Sequence, residues 1–324
     1  MSTQVSNKKE REYLFDNYRG ILIFLIVTGH FLDLNYKNNA ILTSIKWFIY
    51  SFHVPAFVFI SGYFSKKDFP ITVLVKSILL PYLVLEIIYY FYYTYLLNVS
   101  TGLYLLYPKF SLWYLVCLFV WRLVPDIKKY RPLILILAIT GGLLIGLSGI
   151  KSNFLTLPRM LVFFPFFLLG RWFTEENLTF FRQKKIRILS VTIFSVATVG
   201  LSIFANNTTL SPKVFYGRYN YSFLKQTSLE GLLARSICYL FSLIIIYSLL
   251  GIVSRRQSYL STIGQRTLAI YIFHGFVYNF FKYKTTILHE VSTPVETLLL
   301  LLFCVSLTLL FSLPIFTTMI KKIS

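Results

Sequence analysis

Apolar runs of near bilayer-spanning length recur along the chain, separated by short polar segments. They fall at residues 20–36, 47–64, 79–97, 111–124, 132–149, 158–172, 188–205, 231–253, 262–281 and 295–319. A helix rises about 1.5 Å per residue and a hydrocarbon core is about 30 Å thick, so a run of roughly 20 residues predicts a spanning helix. The pattern predicts an all-α, polytopic membrane helix bundle of about ten transmembrane helices. The fourth and sixth runs are short, which predicts tilted or broken helices. Residues 65–78 mix Lys66, Lys67, Asp68 and Lys76 with Ile71, Val73, Leu74 and Val75. That mixture predicts an amphipathic piece on the membrane surface. Pro81 is then expected to open the third span, where its missing N–H matters least.

The connecting segments predict the orientation. With the N-terminus inside, the inner segments hold Lys8, Lys9, Arg11, the basic stretches near 66, 128 and 182–187, Arg255, Arg256, Lys321 and Lys322. Lys and Arg are then about twice as frequent inside as outside, which predicts both termini in the cytoplasm. The division is a cytoplasmic tail at 1–15, one transmembrane domain at 16–320 and a short cytoplasmic tail at 321–324. The longest outer segment, 206–230, is rich in Asn, Thr, Tyr and Lys. It is long enough to fold over a site, and equally able to be a solvated loop. No small-residue cleavage site follows the first run, so no cleavable leader is expected.

Composition agrees with a membrane bundle. Hydrophobic residues make up 56% of the 324 residues and aromatics 19%, above what one soluble core can hide. The net charge of +20 would point to nucleic acid in a soluble protein. Here the cations lie between apolar runs, so topology and anionic lipid explain them, and no nucleic-acid partner is expected. Cys117, Cys238 and Cys304 lie inside apolar runs without a CxxC pair. They predict buried free thiols and neither a disulfide framework nor a metal site.

The chemistry lies in the ionisable residues within apolar surroundings, which are expensive there and mark function. His30, His53 and His274 all fall in the central-to-outer layer of the predicted bundle. Each alone reads equally as a packing residue, but three at similar depth favour a site. Arg19 precedes His30 by roughly 16 Å of helix, about half a hydrocarbon core. It can be an interfacial anchor or hold a phosphorylated ligand, with Asp16 one turn earlier as an ion-pair partner. Ser61, Tyr63, Trp113, Tyr114 and Arg159 are further polar or aromatic positions at span ends, and Glu86 lies in the third span. His289 sits in a short outer segment and is expected to be solvated.

These residues fall in recognisable pieces. Asp16-x-x-Arg19 precedes His30, and Phe52-His53-Val54-Pro55-Ala56-Phe57 leads to Ser61-Gly62-Tyr63. Leu79-Leu80-Pro81-Tyr82 and Leu112-Trp113-Tyr114-Leu115 follow, then Arg159 with the stretch Phe164 to Gly170, and Gly264 to His274. In this order they resemble acyltransferase family 3, the integral-membrane acyltransferases of bacterial surface polysaccharides. The likeness is to its small branch, which includes sugar O-acetyltransferases of the fucose 4-O-acetylase type. Thr267 stands where the last motif usually has Ser and keeps the hydroxyl.

The resemblance implies transfer of an acyl group, usually acetyl, from cytoplasmic acetyl-CoA to a sugar hydroxyl at the outer side of the bacterial cell membrane. It implies no permanently bound cofactor, and a polysaccharide or lipid-linked oligosaccharide acceptor. His30 and Arg19 are the family's functional pair, and Asp16 belongs to the same motif. Arg19 is expected to hold the acyl-CoA phosphate. His53, Ser61, Tyr63, Trp113, Tyr114, Arg159 and His274 are expected to support substrate or structure. Acyl transfer to an alcohol needs a base, which neutral imidazole supplies, and donors for the oxyanion, for which Tyr63, Tyr114 and Arg159 are candidates. The alternatives are a transporter or flippase of a lipid-linked sugar and, more weakly, a membrane scaffold. An open tunnel from Arg19 to His30 would favour the enzyme; inverted repeats, of which the sequence shows none, would favour transport.

Overall fold

The computed structural model describes residues 13–150 and 154–322. Most of the expected 1–15 tail and the end of the 321–324 tail lie outside these residues. Among the described residues the fold is entirely helical. The principal helices are α1 (Leu14–Phe31), α2 (Ala40–Tyr63), α3 (Ile71–Leu96), α4 (Trp113–Leu123), α5 (Arg131–Leu144) and α6 (Leu157–Trp172). They continue as α7 (Glu175–Phe181), α8 (Lys184–Asn207), α9 (Ser228–Ile252), α10 (Tyr259–Gln265), α11 (Thr267–Lys284), α12 (Pro294–Phe311) and α13 (Pro314–Lys321). Among the described residues, seven helices are long and apolar enough to cross a membrane. Helices α1 and α11 are 18 residues each but carry the polar residues of the site.

Two expectations change, at 71–81 and in the last run, and the fourth run is as short as expected. Residues 71–78 are not a separate surface piece, because the helix starts at Ile71 and continues to Leu96. Pro81 therefore lies within a continuous helix. The turn before it, Val75–Leu79, is a π-helix in which the Leu80 N–H bonds the Val75 carbonyl. Widening the turn there accommodates a residue that has no N–H and crowds the carbonyl four positions back. The fourth run holds only the 11-residue α4, about half a span. The last run is broken, since α12 stops at Phe311 and Pro314 starts α13.

Two close crossings hold the bundle. A Cβ on Gly62 of α2 would stand 2.0 Å from the Phe167 carbonyl oxygen, and one on Gly170 of α6 would stand 1.8 Å from that of Phe59. A Cβ on Gly20 of α1 would lie 2.2 Å from the Leu260 oxygen, and one on Gly264 of α10 would lie 1.8 Å from that of Asp16. In each crossing two backbones touch with no side chain between, as small residues permit in membranes. Asn17 fixes the second crossing. Its amide donates to the Ser254 and Arg256 carbonyls at 2.9 and 2.8 Å and accepts from Ser258 at 2.6 Å. In α2, Pro55 leaves the Ser51 carbonyl without its usual donor, and the Ser242 hydroxyl of α9 bonds it at 2.6 Å instead.

Two connections fold inward. Residues 97–112 carry Lys109, which is 9% exposed and donates from Nζ at 2.8 Å to Glu86, fully buried in α3. The Lys109 N–H donates to the same carboxylate at 2.9 Å. This pair draws Phe110 and Ser111 into the bundle. Residues 208–227 fold over the helices as well, held by Arg235, which donates to the Gly142 and Tyr219 carbonyls at 3.0 and 2.9 Å.

Candidate active site

A cavity of about 310 Å³ opens between α1, α2, α3, α4, α6, α11 and the two infolded connections. His30, in the last turn of α1, lines it with Asp33 just past the helix end. His53, Trp113, Tyr114 and Arg159 line it too. His274 is fully buried beside it, its ring 5.4 Å from that of His30. The three histidines of the apolar runs therefore meet at one place.

Each imidazole is held differently. His53 Nδ1 lies 2.6 Å from the Ile49 carbonyl, and His274 Nδ1 lies 2.8 Å from that of Ile270. A carbonyl only accepts, so Nδ1 carries the proton in both and Nε2 is left as an acceptor. His30 Nδ1 instead faces Asp33 Oδ2 at 3.8 Å. Phe110 packs on the His30 ring at 4.7 Å between centroids, from a backbone with φ of 46°. The infolded 97–112 connection thus brings an aromatic ring against the imidazole.

Asp33 is the hub of this end of the molecule, and the sequence reading passed over it. It accepts from Lys46 in an ion pair, from Tyr216 at 3.1 Å and from Tyr50 at 3.3 Å. Lys46 is wholly buried and donates also to the Gly29 carbonyl at 3.0 Å. Burial raises the Asp33 carboxyl, but the Lys46 ammonium and the His30 ring more than offset it and hold it below the usual carboxylate range. Its position one turn after His30 was the available signal.

The Arg19 end differs. Eleven residues at 100° each fall within about 20° of three full turns, so Arg19 and His30 share one face of α1. Yet Arg19 does not line the cavity. It donates to the Thr267 hydroxyl at 2.7 Å and lies 5.5 Å from the Phe64 ring. Asp16 is buried and accepts from Gln265 at 3.1 Å. Tyr63 stacks on Phe15, centroids 3.9 Å apart. The cavity lining ends toward Arg19 at Ile26, Phe57 and Tyr114. The Tyr114 hydroxyl is hydrogen-bonded to Ser61. The cavity therefore does not extend to Arg19, and the Ser61–Tyr114 contact stands at its Arg19 side.

A family model described as an acyltransferase domain matches residues 12–317. The chain belongs to acyltransferase family 3. Among curated proteins and among solved structures, nothing matches. As a membrane acyltransferase, the protein needs a base, a site for an oxyanion and a place for two substrates. This cavity brings an imidazole, a phenol and a guanidinium together. The motif glycines of the family resemblance, Gly62, Gly170 and Gly264, lie at the helix crossings and not in the cavity. Among the described residues no His, Cys, Asp and Glu group could hold a metal ion. All three cysteines are free, two of them buried.

Proposed function

We propose that the protein transfers an acetyl group from cytoplasmic acetyl-CoA to a sugar hydroxyl of a polysaccharide or lipid-linked oligosaccharide at the outer face of a bacterial cell membrane. The observation that carries this reading is His30 on the wall of a polar cavity with Asp33 across its Nδ1. A proton held on Nδ1 toward Asp33 leaves Nε2 as the base. Nε2 takes the proton of the acceptor hydroxyl as its oxygen attacks the thioester carbonyl. The oxyanion forms within reach of Tyr114 and Arg159. Collapse of the tetrahedral species breaks the C–S bond, and the imidazolium returns the proton to the leaving thiolate. The separation of 3.8 Å is long for a hydrogen bond, and such contacts tighten when substrate binds.

The donor reaches this point from the Arg19 side. Arg19 holds a phosphate of the coenzyme at the cytoplasmic face. The pantetheine arm passes when the Ser61–Tyr114 contact parts. The chain crosses about ten times with both termini inside, the short α4 and the infolded 97–112 connection together making one crossing. Reporter fusions within 173–187 and 206–230 are expected to report inside and outside respectively; the reverse would overturn the scheme.

The deciding experiment is analysis of surface-glycan O-acetylation in cells with the protein, without it, and with the His30→Ala variant. The ester is expected only with the intact protein. Full acetylation in cells carrying a well-inserted His30→Ala variant would reject the assignment of the base. Unacetylated glycan together with a defect in lipid-linked sugar export would favour a flippase.

A further inference from the structure

Resting on the acyl-transfer reading, we infer that Tyr278 is a catalytic residue whose hydroxyl donates to the oxyanion formed beside His30. Tyr278 follows His274 by four residues in α11, so the two share one helix face. Both meet His30, with ring centroids 5.4 Å away for His274 and 5.8 Å for Tyr278. Tyr278 is 3% exposed and lines the cavity. Its ring stacks on Phe110 at 5.5 Å and meets Phe31 edge-on at 5.5 Å. Rings from α1 and from the infolded 97–112 connection thus hold the phenol in place against the imidazole.

What sets Tyr278 apart is its hydroxyl. Apart from Tyr283, which is 41% exposed, every other tyrosine of the lining spends its proton within the protein. Tyr50 and Tyr216 donate to Asp33 at 3.3 and 3.1 Å, and Tyr93 donates to Asn279 at 2.7 Å. Tyr271 donates to the Ser111 carbonyl. Ser61 gives its own proton to the Phe57 carbonyl at 2.8 Å, so Tyr114 is the donor in their contact. Among the described residues the Tyr278 hydroxyl has no such partner. Nor is it sealed in, as the unbonded Nε2 of His274 is. A hydroxyl on a buried ring is costly to leave unbonded. A fixed donor in a recess of low dielectric is also what a developing oxyanion requires.

The step balances as follows. His30 Nε2 takes the acceptor proton while the acceptor oxygen bonds to the thioester carbon, and the carbonyl π pair moves onto oxygen. Tyr278 donates a hydrogen bond to that oxygen and keeps its proton throughout. When the pair returns, the C=O bond re-forms, the C–S bond breaks and His30 gives its proton to the thiolate. Tyr114 can add a second phenol donor only after its contact with Ser61 parts, whereas Tyr278 is ready beforehand.

The test is steady-state acetyl transfer by the full-length protein in nanodiscs. The donor is acetyl-CoA, and the acceptor is de-O-acetylated surface glycan from cells that carry the protein. Tyr278→Phe keeps the contacts with Phe110 and Phe31 and removes only the hydroxyl. It is expected to lower kcat by roughly 10²–10³-fold, to leave both KM values within about twofold, and not to lower the melting temperature. A kcat within about threefold of the unmodified protein overturns the assignment. A raised acceptor KM without the fall in kcat gives the hydroxyl to acceptor binding and overturns it as well. Lost activity with a lower melting temperature gives the hydroxyl a structural role, with the same consequence. Unmodified protein that transfers no acetyl group rejects the acyl-transfer reading itself, whereas an active Tyr278→Phe variant rejects only this assignment.

Discussion

The two ends of α1 carry ionisable side chains on one face, and they are built in opposite ways. At His30 the neighbours stand off, leaving a cavity of about 310 Å³ with a polar network around Asp33. At Arg19 the neighbours close in, with Gly20 against Leu260, Gly264 against Asp16 and the guanidinium bonded to Thr267. Under the proposed function, the difference means that the acceptor side is preformed while the donor side must open. A preformed site binds without paying for rearrangement. A closed one protects the catalytic groups until the correct ligand supplies the free energy to part it.

The sharpest way to break this comparison is at His30. His30→Ala is expected to lower transfer by roughly 10²–10⁴-fold with little change in thermal stability. The check is an acetyl-transfer assay on purified protein alongside a melting curve. Near-normal activity would make His30 a packing residue. Next in size is Asp33→Asn, expected to lower kcat by roughly 10–100-fold by releasing the His30 tautomer. It also strands the buried Lys46 charge, at about 3 kcal/mol or more. Asp33→Asn/Lys46→Met is expected to recover the melting temperature but not kcat. Recovery of both would show that Asp33 acts only through stability.

On the closed side, Arg19→Ala is expected to raise the KM for the acyl donor about tenfold and leave that for the acceptor unchanged. Steady-state kinetics with each substrate varied separates the two, and an unchanged donor KM would remove Arg19 from the donor path. The smallest effect is expected at the Ser61–Tyr114 contact. Ser61→Ala removes the hydrogen bond to Tyr114 but keeps the phenol, and is expected to lower the donor KM by about two- to fivefold. A higher donor KM would mean that the contact belongs to the bound state and not to the barrier.

The histidines were legible because imidazoles in apolar runs have no ordinary reason to be there. Their meeting point followed from depth alone, and the structure adds the third dimension. The infolding of 208–227 was one of two open readings, and Arg235 decides it by bonding that connection from within α9. Asp33 and Lys46 were not legible, because each stands near a span end, where a charge looks like an interfacial anchor. Only the packing of α1 on α2 joins them. The start of α3 was misread because a local mixture of Lys and apolar residues says nothing about a π turn that lets a helix run through Pro81. The Lys109–Glu86 pair was hidden for a similar reason, since its partners lie in a span and a connection.

The glycine crossings also set where the molecule can give. Gly20 and Gly62 both lie at the Arg19 end of their helices, and each meets another backbone with no clearance. Such points act as fulcrums, as in a pair of tongs. His30 lies ten residues from Gly20, a lever of roughly 15 Å. A tilt of about 5° at the crossing therefore moves the His30 end by roughly 1.3 Å, while the fulcrum hardly moves. Small angular changes at the closed end become changes in width at the open one. Adding a methyl group with Gly20→Ala would wedge the pivot, and spin-label distances across the cavity mouth are expected to shift even though the substitution lies far from it. Unshifted distances in a folded variant would show that the helices bend between crossing and cavity.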